Sequence, residues 1–138
     1  MKVILSIKPE YADKILDGTK KFEFRKAAFS SGSVETVLIY ATKPVGKVVG
    51  EFEVAKVHID APKKIWNITK QAAGIKKSFF DAYYTGRDTA VAIAVGRVKK
   101  YEEPVSLQSF GPELKAPQSF RYLPTNAEDN RQLNIQFA

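Results

Sequence analysis

The stretch "GTKKFEFR" at residues 18–25 places a lysine, a glutamate and an arginine close together, at Lys20, Glu23 and Arg25. A lysine ammonium can hold a phosphate or polarise a carbonyl, and it can act as a base where burial lowers its pKa. A carboxylate can accept hydrogen bonds from a base edge, such as the exocyclic amine of cytosine. A guanidinium can donate two parallel hydrogen bonds to a phosphate. These residue types predict a polar site suited to nucleotides. The alternative is a solvated strand in which Glu23 pairs with Arg25 or Lys21.

The alternation in this stretch is typical of a strand with Phe22 and Phe24 on one face and Glu23 and Arg25 on the other. Ideal alternation places Lys20 on the phenylalanine face, away from the other two charged residues. We therefore expect the turn before the strand, or a local twist, to bring the three charges together.

Further candidate ligand contacts lie in loops and at the ends of elements. One lysine precedes a predicted helix N-terminus, where backbone N–H groups and the helix dipole favour an anion. Other candidates follow a buried strand, flank Gly86 or form a cationic and aromatic set that suits an unstacked base. For each of them, surface exposure or core packing is the alternative. In chain order they are Lys8, Lys21, Thr42, Lys43, Tyr84, Arg87 and Arg121.

The elements that must position these residues are strands separated by short helices. Pro9 and Gly18 are typical of a helix start and a helix end, so they predict a helix over residues 9–17. Gly50 lies inside a long predicted strand, where it indicates a bulge or a tight bend. Predicted strands are "KVILSI", "KKFEFRK", "VETVLIYAT", "GKVVGEFEVAKVHI", "TAVAIAVGRVKKY" and a short "SFRYL", and further helices are "DAPKKIWNITKQAAG" and "SFFDAYYTG".

This order of elements predicts an α+β fold. Five or six strands with a glycine inside a long one favour a small curved or closed barrel of mainly antiparallel strands, with short flanking helices. The chain has 138 residues, which suits one domain. Residues 125–138 are polar and are predicted to form a tail.

Charge and composition narrow the function classes. The net charge is +7, and residues 1–100 carry 19 basic against 10 acidic side chains, a net of +9, which favours polyanionic partners. Cysteine is absent and His58 is the one histidine, so we expect no disulfide, no metal site and no cofactor. No apolar run is long enough to span a bilayer and the start is not a secretory signal. We therefore expect a cytoplasmic protein with no membrane partner.

The signature stretch and the blocks after it resemble the ASCH domain family, a branch of the PUA-like superfamily. The family pattern Gly-x-Lys-x-x-Glu-x-Arg stands intact at Gly18, Lys20, Glu23 and Arg25. The likeness continues through "IYATKP", "VVGEFEV", "GIKKSFFDAYYTG" and "AVAIAVGRVKKYEEPVSL" to "APQSFRYL". It covers roughly residues 2–124, so residues 1–124 are interpreted as an ASCH domain and 125–138 as its tail.

The resemblance implies a PUA-like β-barrel with a cleft beside the first helix and the signature strand. It also implies binding of RNA or a modified nucleoside in that cleft. One enzymatic branch removes the acyl group from N4-acylcytidine and another cuts RNA. The chain could therefore be a metal-independent hydrolase of either kind, with Lys20 and Glu23 as catalytic residues. Glu23 stands where the deacylating branch has a threonine, which is a departure from that branch. A protein-interaction or transcription-associated module is the third alternative.

Overall fold

Within the described part of the chain, six strands form one sheet and three α-helices accompany it. The computed structural model describes residues 1–30, 32–116 and 120–123, with the backbone alone at residues 120 and 121. In chain order the elements are β1 (Lys2–Ile7), α1 (Pro9–Asp17), β2 (Phe22–Arg25), β3 (Thr36–Ala41), β4 (Lys47–Asp60), α2 (Pro62–Thr69), α3 (Lys77–Tyr83), β5 (Ala90–Val105) and β6 (Phe120–Leu123). Short 3-10 turns follow α2 at Lys70–Ala72 and β5 at Leu107–Phe110. The predicted tail lies outside the described residues.

The sheet is open and mixed, with the strand order β2-β5-β4-β3-β1-β6. Strands β1 and β3 are parallel because the chain crosses over through α1 and β2 between them, whereas the other neighbours run antiparallel. No ladder among the described residues joins β2 to β6. The α+β class is confirmed. The expectations of a closed barrel and of a mainly antiparallel sheet were wrong.

Gly50 lies where strand β4 bends and packs closely against its neighbours. The ladders that β4 forms with β3 and with β5 both shift register next to Gly50. The strand therefore bends there, as the sequence indicates. A Cβ at Gly50 would lie 2.6 Å from the carbonyl oxygen of Lys99 and 2.7 Å from a methyl group of Leu16. The glycine thus allows β5 and α1 to approach closely, and it curves the sheet without closing it.

Buried side chains cover both faces of the sheet, which matches the continuous apolar run in β1. Alternate residues of β1 enter different clusters, with Val3 and Leu5 under α1 and Ile4 on the opposite face. A third cluster, rich in aromatic rings, packs α2 and α3 against β2 and β5, and its buried members are Phe24, Ile65, Ala73, Phe80, Tyr84, Ala90 and Ala92. None of the helices in the described ranges is long and apolar enough to cross a membrane.

Helix α1 has the predicted bounds, and its C-terminal turn sets up the signature stretch. Pro9 occupies the first turn, and Gly18 ends the helix in a left-handed conformation with a φ of 89°. The backbone N–H of Lys20 then donates to the carbonyl of Lys14 at 3.0 Å, and that of Thr19 donates to the Asp17 carboxylate at 2.8 Å. The chain therefore enters β2 in a fixed direction.

The segment between α2 and α3 lies directly over this turn. The backbone N–H of Lys21 donates to the carbonyl of Ala72 at 2.9 Å. The ammonium of Lys20 donates to the carbonyl of Ala73 at 2.7 Å, and that of Lys14 donates to the carbonyl of Gly74 at 3.3 Å. Gly74 has a φ of +70°, and a Cβ there would lie 2.5 to 2.8 Å from the Lys20 stem. Only a glycine fits this contact without displacement.

Replacing Gly74 with alanine tests this packing against a matched control. Gly74→Ala and Gly86→Ala both place a Cβ at a positive φ, +70° and +77°, which costs roughly 1–2 kcal/mol. Only Gly74→Ala also overlaps a neighbour, since nothing lies within 4 Å of the Cβ position at Gly86. We expect Gly74→Ala to lose about 1–3 kcal/mol more free energy of unfolding, measured by urea denaturation. Equal losses would contradict the placement of the Lys20 stem.

Candidate functional site

A cavity of about 230 Å³ opens between the end of β1, helix α1, strand β2 and helix α3. Lys20, Glu23 and Arg25 all line it, so the structure gathers the three charged residues of the signature stretch. The remaining lining residues are Ser6, Ile7, Lys8, Tyr11, Phe24, Ile75, Phe79 and Tyr83. Cations, one carboxylate and aromatic rings therefore share one concave surface.

Lys20 is a buried cation in the wall of this cavity, with only 1% of its surface exposed. Besides its hydrogen bond to Ala73, its Nζ lies 4.7 Å from the ring centre of Phe24 and 5.5 Å from that of Tyr11. Burial lowers the pKa of Lys20 to about 8, against the opposing effect of the Glu23 charge. At pH 7 the ammonium form still predominates, and roughly a tenth of the side chain is neutral amine.

Glu23 and Arg25 form a buried ion pair beside that lysine. Arg25 Nη2 lies 3.1 Å from Glu23 Oε2, and the two side chains are 13% and 10% exposed. The same nitrogen donates to the carbonyl of Ser6 at 2.8 Å, which fixes the guanidinium against the end of β1. The ion pair that the sequence offered as an alternative is thus present, with Arg25 rather than Lys21 as the partner. Its charges still face the cavity.

The position of β2 at the sheet edge explains how these side chains meet. Lys20 precedes β2, so strand alternation does not constrain it, and it contacts Phe24. Strand β2 pairs only with β5 among the described strands, which leaves its other side open to the cavity. Side chains from both of its faces, Glu23 and Arg25 on one and Phe24 on the other, therefore reach the same space.

Aromatic rings that the sequence did not single out form another wall. Phe79 and Tyr83 lie one turn apart on α3, and Phe79 is 42% exposed. Tyr11 meets Phe79 edge to face at 5.9 Å between ring centres. Burial raises the pKa of Tyr83 and of Tyr11, so both hydroxyls stay protonated at neutral pH. The four-residue spacing of Phe79 and Tyr83 was the available signal in the sequence.

Of the other predicted contacts, Lys8 lines the cavity, whereas the next three along the chain, Lys21, Thr42 and Lys43, do not. The Lys8 ammonium lies 5.7 Å from the ring centre of Phe79. Lys21 and Lys43 are exposed and do not line the cavity. The backbone N–H of Thr42 donates to the carbonyl of Ile7 at 3.0 Å, which places it near the cavity without lining it. As ligand contacts these residues stay predictions.

The three remaining candidates lie further along the chain. Tyr84 is buried in the aromatic cluster, where its hydroxyl donates to the carbonyl of Arg25 at 2.8 Å. It does not line the cavity, whereas its neighbour Tyr83 does. Arg87 is exposed beyond α3, and the side chain of Arg121 lies outside the described residues. No group of three or more His, Cys, Asp or Glu side chains in the described ranges could hold a metal ion.

Known proteins share both the sequence pattern and the fold. A stretch of 121 residues is 34% identical to large ribosomal subunit protein uL22 of Ureaplasma parvum serovar 3, covering 88% of this chain and 39% of that protein. The chain thus spans well under half the length of this relative. An ASCH domain-containing ribonuclease of Zymomonas mobilis is 26% identical over 126 residues, covering 88% of this chain and 84% of the relative.

The crystal structure of ASCH from Zymomonas mobilis has the same fold. It superposes with a TM-score of 0.82 at 22% identity and covers 99% of this chain and 96% of that one. The family model described as ASCH domain matches residues 5–109, most of the chain. The resemblance that the signature stretch predicts is therefore confirmed, and this chain belongs to the ASCH domain family.

Proposed function

We propose that this ASCH domain binds RNA or a modified nucleoside in the cavity beside β2. The observation that carries the proposal is the meeting of Lys20, Glu23 and Arg25 with four aromatic rings on one concave surface. Cations neutralise phosphates, while rings and a carboxylate can hold an unstacked base and read its edge. The kinship with a protein named as a ribonuclease supports an RNA ligand.

The size of the cavity favours a single base or nucleoside over a folded RNA. Its volume of about 230 Å³ falls below the roughly 300–1,000 Å³ of pockets for drug-sized ligands. The rest of an RNA would then lie on the surface around it, where the basic side chains of the chain provide salt-dependent affinity for the backbone. Lys8, exposed at the rim, is suited to a phosphate next to the bound base.

A second candidate function is hydrolysis of RNA or of N4-acylcytidine-type nucleosides without a metal ion. The observation that favours it is the buried Lys20, whose pKa of about 8 lets the amine take up a proton near neutral pH. Glu23 would then orient a substrate amine. The protein-interaction alternative, the cytoplasmic location and the domain boundary at residue 124 stay predictions.

The binding proposal predicts a loss of RNA affinity when the exposed ring of the cavity is removed. We expect Phe79→Ala to weaken binding of a short single-stranded RNA on the order of tenfold at low salt, because a stacking surface is lost. Ile68→Ala is the matched control, since Ile68 is also exposed, lies on α2 and does not line the cavity. Fluorescence anisotropy measures both.

Two outcomes of this titration would contradict the proposal. One is that the unmodified protein does not bind RNA even at low salt. The other is that Phe79→Ala and Ile68→Ala have the same affinity as the unmodified protein, since the bound base would then lie elsewhere. Raising the salt concentration should weaken binding of all three proteins in parallel, because the phosphate contacts are unchanged.

If the protein is a hydrolase, formation of product should depend on Lys20. We expect Lys20→Met to abolish turnover of RNA or of N4-acetylcytidine, followed by chromatography of the products. Lys21→Met is the control. It removes the same charge, but Lys21 is exposed and lies outside the cavity. If the unmodified protein yields no product from either substrate, hydrolysis is excluded for them and binding alone remains.

The protonation of Lys20 can be measured without a substrate. Its pKa is about 8 in the folded protein and 10.5 ordinarily, so between these values the unfolded chain binds more protons. The free energy of unfolding should therefore rise with pH in this window, while below it the cost of burying the ammonium is fully present. Relative to Lys20→Met, we expect a gain of about 2 kcal/mol from about pH 7 to about pH 9.5.

The upper limit of this measurement is set by the tyrosines. Burial raises the pKa of Tyr84, so above about pH 10 unfolded tyrosines ionise first and stability falls. Subtracting the curve for Lys20→Met removes this contribution because both proteins share it. A flat difference would show that burial does not lower the pKa of Lys20.

A further inference from the structure

We propose that the cavity selects guanine among the unmodified bases, with the Glu23 carboxylate accepting from the N1–H and N2–H groups and the Lys20 ammonium donating to O6. This inference rests on the proposed function and names the base that the same site prefers. It follows from the fixed donor and acceptor character of the two side chains and from the edges that unpaired bases present.

Glu23 can only accept hydrogen bonds, and its orientation is fixed. The guanidinium of Arg25 is permanently charged and lies 3.1 Å from Glu23 Oε2, so one oxygen of the carboxylate is held by a charged donor. Arg25 is itself held by the carbonyl of Ser6 at 2.8 Å. Both side chains are about nine-tenths buried, so the carboxylate cannot swing away. A base that binds here must present donors to it.

Guanine is the standard base with two adjacent donors on its Watson–Crick edge. Adenine and cytosine each place a ring nitrogen acceptor beside the amine, and uracil places its one N–H between two carbonyls. An acceptor facing an anionic carboxylate is repelled, so these bases bind less well. Carboxylates accept from cytosine N4 in duplex DNA because the neighbouring N3 is occupied by pairing there. An unpaired cytosine in this cavity has a free N3.

Lys20 complements the third group of the guanine edge. O6 is an acceptor next to N1–H, and an ammonium has three donors. One of them is used on the carbonyl of Ala73 at 2.7 Å, which leaves two for a ligand. The Glu23 ion pair is with Arg25, so a base edge can lie between Glu23 and Lys20 without breaking a contact between them. The rings of Tyr11 and Phe24 keep the ammonium in place.

The test compares short oligouridines that carry one central guanosine, inosine, adenosine or cytidine. We expect the guanosine oligomer to bind on the order of tenfold to a hundredfold more tightly than the adenosine and cytidine oligomers, by fluorescence anisotropy. Inosine keeps O6 and N1–H but lacks the 2-amino group, so it should lose about tenfold. This comparison isolates the second hydrogen bond to Glu23.

Two variants assign the preference to the side chains. Glu23→Gln presents one donor and one acceptor, so the difference between guanosine and inosine should disappear. Lys20→Met should weaken the guanosine and inosine oligomers equally, because both carry O6. If Glu23→Gln does not fold by circular dichroism, the oligomer series with the unmodified protein and with Lys20→Met still decides.

The outcomes separate this inference from the proposed function. Equal binding of all four oligomers, or preference for cytidine or adenosine, overturns guanine selection while leaving RNA binding in place. Failure of every oligomer to bind at low salt overturns the proposed function and guanine selection with it. A guanosine preference that persists unchanged in Glu23→Gln overturns the assigned role of the carboxylate.

Discussion

The burial of one ammonium group is the constraint on which the site depends. Lys20 loses nearly all its hydration, and a buried charge costs several kcal/mol unless it finds partners. The carbonyl of Ala73 and the rings of Tyr11 and Phe24 are those partners. Because Ala73 belongs to the segment between α2 and α3, the same contact that offsets the cost also fixes the start of α3 over the cavity. One hydrogen bond, from Lys20 to the carbonyl of Ala73, therefore both holds the buried cation and positions the aromatic wall.

The balance of charges around Lys20 keeps the cavity positive. Its described lining carries three cationic side chains, Lys8, Lys20 and Arg25, and one carboxylate, Glu23. Because Glu23 forms its ion pair with Arg25, its carboxylate stabilises the buried Lys20 ammonium only by coulombic attraction, without a direct ion pair. A ligand that brings an acceptor to Lys20 and donors to Glu23 relieves both residues. This arrangement is why we propose a polar base edge, and not a simple anion, as the ligand.

The sequence predicted the charged residues of the site better than its rings. Proline and glycine mark the ends of α1, and the signature stretch follows without a gap, so Lys20, Glu23 and Arg25 were accessible from local patterns. The pair "FF" and "YY" in α3 offers two equivalent four-residue spacings, Phe79 with Tyr83 and Phe80 with Tyr84. Nothing local decides which pair faces the core. Packing against Phe24 and Trp66 selects Phe80, and Tyr84 follows it inward.

The failed barrel expectation and the existence of the cavity have the same physical origin. A closed barrel would pair the free side of β2 with another strand and remove the space beside it. Among the described strands that side of β2 has no ladder partner, and the guanidinium of Arg25 spans the gap to the carbonyl of Ser6 in β1. A side chain thus takes the place of a backbone ladder between β1 and β2. Because a side chain leaves room that a ladder would fill, the edge of the sheet keeps the cavity that we propose as the ligand site.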